Sequence, residues 1–235
     1  MLTPTVSATY KLFDKPIMVG KLPLRVHIAD LSGLPASCAY RTLKAAGAPT
    51  MLKAMVDRLQ QIYGQGSAAV TFEPITYVDS DAPTTVDALS STSLGASLKV
   101  ASKQSGGGVD LVLIRAINPN GVLGIAGGIP GAPGLTDNPR TGAVMSMNLL
   151  CSTGINYDLT RLAQTAAHEL GHTLGLSHSR ERDGHSDPLG DGTSPSESYL
   201  QEMQNLMYWA ASDMPGSTLT AEQGEVIRSM PQVQP

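Results

Sequence analysis

The chain has 235 residues, of which 41% are apolar and 15% charged, and its formal net charge is −4. This apolar fraction is enough for the core of one large domain or two small lobes. The acidic balance, with no basic run, argues against nucleic acid and anionic membranes as partners. No stretch has the length and apolar character of a transmembrane helix.

Local patterns predict strands alternating with helices after an uncertain N-terminal arm at residues 1–20. Alternating or continuous apolar runs predict strands at residues 22–30, 70–78, 109–117 and 142–150. Apolar stripes at helical spacing predict helices at residues 50–63 and, more weakly, 94–101. His27, in the first strand, is interpreted as a surface or hydrogen-bonded histidine rather than a ligand.

Residues 122–134 read V-L-G-I-A-G-G-I-P-G-A-P-G and predict a thin edge strand that runs into a loop. A glycine-rich edge strand leaves its backbone groups open for pairing with an extended peptide. An ordinary surface loop is an equally good interpretation of these residues.

The next predicted helix and the turn after it contain three of the five histidines of the chain. It is expected to begin near Asp158, a good N-cap, and to end before Gly175. His168 and His172 are four residues apart and therefore lie on one helical face. Gly175 allows the chain to turn with a positive φ, which brings His178 back towards them. Three nitrogen ligands with an open fourth position make a catalytic zinc site.

The stretch from His168 to His178 reads H-E-x-x-H-x-x-G-x-x-H and resembles the metzincin clan of zinc endopeptidases. Ser179 is similar to the serine of matrixins, and residues 205–208 resemble the methionine turn of the clan, with Met207 as its methionine. The 28 residues between His178 and Met207 exceed the matrixin spacing. The insert at residues 183–188 is closer in style to the pappalysin-like group.

The resemblance implies an α+β zincin fold in one catalytic domain, residues 21–235. Residues 21–178 would form an upper lobe, a twisted mixed β-sheet with two long helices. Residues 179–235 would form a smaller, irregular lower lobe that ends in a C-terminal helix. A Thr220–Gln223 capping box is expected to begin that helix.

The resemblance also implies a zinc-dependent endopeptidase that acts on protein or peptide substrates, as a monomer. His168, His172 and His178 would hold the zinc ion, and Glu169 would be the general base that deprotonates the attacking water. Met207 would form an apolar floor beneath the imidazoles rather than bind the metal. The alternatives are a catalytically silent zinc-bearing binding protein on the same fold and a hydrolase of non-peptide amides.

Three carboxylates of the predicted lower lobe recur every four residues in a glycine-rich segment. Asp183, Asp187 and Asp191 are candidate ligands for a calcium ion, because carboxylate oxygens are preferred by that cation. The sequence does not match an EF-hand loop, and solvated loop carboxylates are the commoner interpretation.

We expect a secreted or cell-envelope location, because a free zinc endopeptidase in the cytoplasm would be hazardous. Residues 1–4 lack the basic start and apolar core of an export signal, so a mature domain without its signal is the expectation. Cys38 and Cys151 fit one disulfide in an oxidising compartment and fit two buried thiols equally well.

Overall fold

The computed structural model describes residues 19–103, 107–132, 135, 137–151, 157–179, 203–209 and 216–235. Within these residues the strands are β1 Gly20–Ile28, β2 Val70–Asp79, β3 Thr85–Asp87, β4 Val109–Ile114, β5 Ala116–Asn118, β6 Gly124–Ala126 and β7 Gly142–Ser146. The helices are α1 Ala48–Met51, α2 Lys53–Tyr63, α3 Ser91–Ser102, α4 Leu159–Thr173 and α5 Ala221–Ser229. About half of the expected lower lobe, residues 180–202 and 210–215, lies outside the described residues.

The main sheet has five strands in the order β2-β1-β4-β7-β6. The first four strands are parallel, and β6 is antiparallel to β7 at one edge. A separate parallel pair joins β3 to β5. All six residues of β4 are buried, as expected for a central parallel strand that is covered on both faces.

Helices α2 and α4 pack together against one face of the sheet, and α3 covers the other. The hydroxyl of Tyr63 on α2 donates to the carbonyl of Ala167 on α4 at 2.8 Å. On the opposite face, Leu98 of α3 packs with Val112 and Val144 of the sheet. The zincin expectation of a mixed sheet backed by two long helices is confirmed, and α3 adds a third long helix.

Two predicted strands are shorter than expected, and in the first of them the chain changes its hydrogen-bond partner. The run predicted at residues 109–117 leaves the main sheet after Ile114, and the N–H groups of Arg115 and Ala116 both donate to Thr84 O. The strand predicted at residues 142–150 ends at Ser146 and continues as a 3₁₀ turn, Asn148–Cys151.

Cys38 and Cys151 form a disulfide, which decides between the two interpretations of these residues. The bridge connects the segment before α1 to the 3₁₀ turn at Asn148–Cys151, across 113 residues of sequence. No helix of the described part of the chain is both long and apolar enough to cross a membrane.

Candidate metal centre and active-site cleft

Helix α4 is held at both ends by the residues that its sequence predicts. The side chain of Asp158 caps its start, accepting hydrogen bonds from the N–H groups of Thr160 and Arg161 at 2.9 and 3.0 Å. The helix stops before Gly175, whose φ is +94°. This left-handed conformation is readily available only to glycine. The chain therefore turns sharply at Gly175 and returns towards the helix.

The turn brings His178 against the two histidines of α4. The Nε2 atom of His178 lies 3.1 Å from Nε2 of His168 and 3.1 Å from Nε2 of His172. Among the described residues, these three side chains form a cluster that could hold a metal ion. Both histidines of α4 are buried, whereas His178 is half-buried.

The other ring nitrogen of each α4 histidine is fixed by a backbone carbonyl. Nδ1 of His168 donates to Leu206 O at 2.7 Å, and Nδ1 of His172 donates to Leu176 O at 2.7 Å. A carbonyl oxygen can only accept, so both Nδ1 atoms carry the proton and both Nε2 atoms present a lone pair when the rings are neutral. Sequence reasoning did not identify these two carbonyls, which no side-chain pattern signals.

Hydrogen bonds alone do not account for both Nε2–Nε2 contacts of His178, because each hydrogen bond needs a proton between its two nitrogens. A neutral His178 can place at most one proton between its own Nε2 and the two lone pairs that face it. Burial, with repulsion from His172, lowers the pKa of His168 to about 3, which keeps that ring neutral. Two lone pairs and a third ring nitrogen that converge in this way fit a cation.

The spacing of the three nitrogens also fits zinc. Nitrogens that lie about 2.0–2.1 Å from one tetrahedral zinc ion are separated from each other by roughly 3.3 Å. The two measured Nε2–Nε2 distances of 3.1 Å are close to that value. A neutral imidazole whose other nitrogen donates to a carbonyl is the usual form of a histidine ligand.

Glu169 follows His168 on α4 and lines the cleft beside the three histidines. Burial raises the pKa of its carboxyl group to about 7, although a hydrogen bond from the backbone of Ala126 opposes the rise. A carboxyl group with a pKa near neutrality can both accept and release a proton. Glu169 is not part of the cluster of converging ligand atoms.

Strand β6 forms the wall of the cleft opposite α4. The N–H of Ser146 donates to Leu123 O, and the N–H of Gly127 donates to Gly142 O. The backbone groups of alternate residues in this segment therefore face β7. In an antiparallel edge strand the residues between them turn their backbone groups outward. Gly124 and Ala126 are these outward residues, so the predicted edge strand is present beside the histidines.

Glycine at position 124 allows β6 to lie close to Glu169. A Cβ atom there would lie 2.9 Å from Cγ of Glu169 and 2.8 Å from Sδ of Met145. The cleft between β6 and α4 has a volume of about 410 Å³. Trp209, which is 38% exposed, lines the same cleft, a position that the sequence alone did not assign to the site.

The turn at residues 205–208 packs beneath α4. Met207 is fully buried, and a Cβ atom on Gly171 would lie only 2.6 Å from its Sδ atom. The carbonyl of Met207 accepts a hydrogen bond from the N–H of Ser179 at 2.8 Å, immediately after His178. The structure thus places the predicted methionine beside the helix that carries two of the histidines.

The candidate calcium ligands Asp183, Asp187 and Asp191 lie outside the described residues. Neither the described geometry nor the matches to known proteins support the calcium hypothesis.

The family model described as Metallo-peptidase family M12 matches residues 34–220 of the chain. The chain belongs to this family. The match covers β2 to β7, the three histidines and the turn at Met207. The expected resemblance to metzincin-clan peptidases is confirmed, and this M12 protein is a zinc metalloendopeptidase.

Matches among solved structures include mirolysin and archaemetzincin. Mature mirolysin of Tannerella forsythia, in complex with a cleaved peptide, is 16% identical, covers 91% of this chain and 92% of its own, and gives a TM-score of 0.52. Mirolysin in complex with compound 9 is 14% identical over 89% of this chain and 90% of its own, with a TM-score of 0.51.

Archaemetzincin of Methanopyrus kandleri is 16% identical over 88% of this chain and 94% of its own, with a TM-score of 0.47. At these identities the likeness to mirolysin supports the fold alone. Among curated proteins, none matches the M12 chain in sequence.

Proposed function

We propose that His168, His172 and His178 hold the zinc ion of this M12 peptidase and that Glu169 is the general base of peptide-bond hydrolysis. The convergence of three Nε2 atoms, with two Nδ1 atoms fixed by carbonyls, is the observation that carries the proposal. When bound, zinc polarises the peptide carbonyl as a Lewis acid and brings the pKa of a water molecule towards neutrality.

Glu169 moves the proton of the reaction. Its carboxylate accepts one proton from the attacking water and then releases that proton to the nitrogen of the leaving amine. The water oxygen forms the new bond to the carbonyl carbon, the carbon–nitrogen bond breaks, and a carboxylic acid and an amine result. No covalent bond to the enzyme is needed, so the proposal requires no serine or cysteine nucleophile.

An extended polypeptide is the substrate that fits the cleft best. Gly124 and Ala126 turn backbone groups outward at the edge of the sheet next to Glu169. The N–H of Ala126 donates to Glu169, so Gly124 and the carbonyl of Ala126 are the groups that this edge offers to a peptide. A peptide can pair with such an edge as an additional strand, which places its backbone across the histidines. This geometry favours a peptide over a non-peptide amide, because a small amide would not use the edge of the strand.

We extend the proposal to the rest of the chain. Residues 205–208 act as the methionine turn, with Met207 as an apolar floor rather than a ligand, because thioether sulfur competes poorly with imidazole for zinc. Residues 21–235 act as one catalytic domain and as a monomer, since one chain supplies all four site residues. The disulfide is compatible with an oxidising compartment, which supports a secreted or cell-envelope location.

Chelation and reconstitution test the proposed function directly. A mixed peptide library is incubated with the purified protein, with the protein after treatment with a zinc chelator, and with the treated protein after addition of one equivalent of zinc. We expect cleavage, loss of cleavage and its recovery, in that order. A protein that carries zinc at full occupancy and cuts nothing in a broad library would instead be the catalytically silent binding protein.

A further inference from the structure

Gln223 is a buried amide in the first turn of α5, far along the chain from the histidines. Only 1% of the residue is exposed. The backbone N–H of Gln223 donates to Oγ1 of Thr220 at 3.1 Å. The side-chain Oε1 of Gln223 accepts from the backbone N–H of Thr220 at 3.0 Å. These two bonds form the predicted capping box of the helix. A capping box can form at the protein surface, so it does not by itself explain why Gln223 is buried.

The same amide makes a reciprocal pair with Asn205, outside its own helix. Nδ2 of Asn205 donates to Oε1 of Gln223 at 3.0 Å, and Nε2 of Gln223 donates to Oδ1 of Asn205 at 3.1 Å. Asn205 is 7% exposed, so both amides are removed from water. A primary amide is the side chain that can both donate and accept in this pair, whereas a carboxylate can only accept.

Asn205 also holds the turn at residues 205–208, which contains the carbonyl partner of His168. Its Oδ1 accepts from the N–H of Met207 at 2.8 Å. Between these residues, the carbonyl of Leu206 accepts from Nδ1 of His168 at 2.7 Å. The amide of Asn205 cannot be flipped without placing an NH₂ group against the N–H of Met207. Its orientation is therefore set from both sides.

The turn also contacts the segment of the third histidine. The carbonyl of Met207 accepts from the N–H of Ser179, the neighbour of His178, at 2.8 Å. A separate bond from Leu206 N to Thr218 O, at 2.7 Å, gives the turn a second attachment. Loss of the Gln223 pair would therefore displace the turn rather than release it completely.

We propose that Gln223 is a positioning residue for the zinc centre, acting through Asn205 and the 205–208 turn to fix the ring of His168. The inference rests on the proposed zinc site and adds to it a residue outside the zinc-binding motif. Partners that orient a histidine ligand typically change metal affinity about 10- to 100-fold when they are lost. The C-terminal helix thus contributes to metal binding as well as to the packing of the domain.

Matched variants of the 235-residue chain separate this role from helix capping. Gln223→Glu keeps an acceptor for the N–H of Thr220 but removes the donor to Asn205. Gln223→Met, uncharged and of similar shape, removes the whole pair. Thr220→Ala removes the hydroxyl that caps α5 and leaves the amide pair in place, so it is the control.

Three quantities are measured for each variant: the zinc dissociation constant by competition with a chelator, the absorption spectrum of the cobalt-substituted protein, and the melting temperature of the metal-free protein. We expect both Gln223 variants to bind zinc about 10-fold more weakly, the lower end of the range for a direct partner, because the turn is displaced and not released, and to show shifted cobalt bands. Thr220→Ala should lower the melting temperature and leave zinc affinity and the cobalt spectrum unchanged.

Two results would overturn the inference while leaving the proposed function intact. The first is a folded Gln223 variant whose zinc affinity and cobalt spectrum equal those of the parent protein. The other is an equal loss of zinc affinity in Thr220→Ala, which would make Gln223 a capping residue only. A parent protein that fails to bind zinc at the histidines would contradict the proposed function itself.

Discussion

The two nitrogens of each α4 histidine have different roles, and the backbone decides which role each nitrogen has. Carbonyl groups of Leu176 and Leu206 hold the Nδ1 protons, so Nε2 of both rings presents a lone pair towards Nε2 of His178. The spacing of the motif predicts which imidazoles meet. It does not predict the carbonyl partners, because Leu206 reaches His168 only through the tertiary fold.

At Gly175 the conformation of one residue determines whether His178 reaches the site. Its φ of +94° is strained for alanine, and an added Cβ atom would lie 3.3 Å from Cγ1 of Val226. We expect Gly175→Ala to lower the free energy of unfolding by about 1–3 kcal/mol and to weaken zinc binding. Chemical denaturation and zinc competition measure the two effects.

Gly66→Ala is the control for that variant, because an added Cβ atom at Gly66 would have no neighbour within 4 Å. It should change the free energy of unfolding by no more than about 0.5 kcal/mol. Equal effects of the two substitutions would show that the positive φ at Gly175 does not govern the return of His178.

Between elements, one buried ion pair joins β1 to β4. Nε and a second guanidinium nitrogen of Arg25 donate to the two carboxylate oxygens of Asp110 at 2.8 and 3.1 Å, and Nε2 of His27 lies 2.9 Å from Oδ1. Burial opposes ionisation of Asp110. The hydrogen bonds from His27 and Arg25 outweigh it and hold the pKa of the carboxyl group below its ordinary value.

This pKa shift makes the free energy of unfolding depend on pH. Because the folded pKa is below the unfolded value of about 4, ionised Asp110 stabilises the fold above that pH. The contribution disappears as the pH falls through the folded pKa. We expect Asp110→Asn to cost about 3–5 kcal/mol at pH 7 and progressively less below pH 4, measured by denaturant unfolding across pH.

Asp57→Asn removes an exposed carboxylate that pairs with Lys53 along α2, and it is the matched control. Exposed pairs contribute about 0.2–1 kcal/mol, so its cost should be small at every pH. A loss of stability in Asp110→Asn that did not change between pH 7 and pH 3 would contradict the assigned pKa shift.

Element by element, the predictions succeeded where the signal is local. The Asp158 cap and the Thr220–Gln223 capping box lie within a few residues of the helices they begin, and both are present. The pairing of Arg25 with Asp110 joins residues 85 apart in sequence, so no local pattern could show it. The same reason explains why the run predicted at residues 109–117 divides after Ile114, where the chain meets Thr84.

At the scale of the whole molecule, one covalent bridge connects segments of the described fold that lie far apart in sequence. The sequence allowed the Cys38–Cys151 disulfide without requiring it, since only the folded chain brings the two residues together. The bridge joins residues that are 113 positions apart in sequence. A cross-link of this kind restricts the unfolded chain and usually contributes about 2–4 kcal/mol.

We expect the Cys38→Ser/Cys151→Ser double variant to unfold at a lower temperature and to keep its affinity for zinc, because neither cysteine contacts the histidines. Reductant should lower the melting temperature of the parent towards that of the double variant and leave the double variant unchanged. A parent whose melting temperature does not respond to complete reduction would show that the bridge does not stabilise the fold.

The most direct test of the central claim is the turnover of Glu169→Gln loaded with zinc, with Glu225→Gln on the exposed face of α5 as control. Both substitutions replace a carboxyl group with an amide of nearly the same shape, but only the first removes the proposed base. We expect Glu169→Gln to bind one zinc ion, to keep the parental fold, and to cleave peptides about 100- to 10,000-fold more slowly. Cleavage by zinc-loaded Glu169→Gln at the parental rate would contradict the assignment of Glu169 and the proposed mechanism.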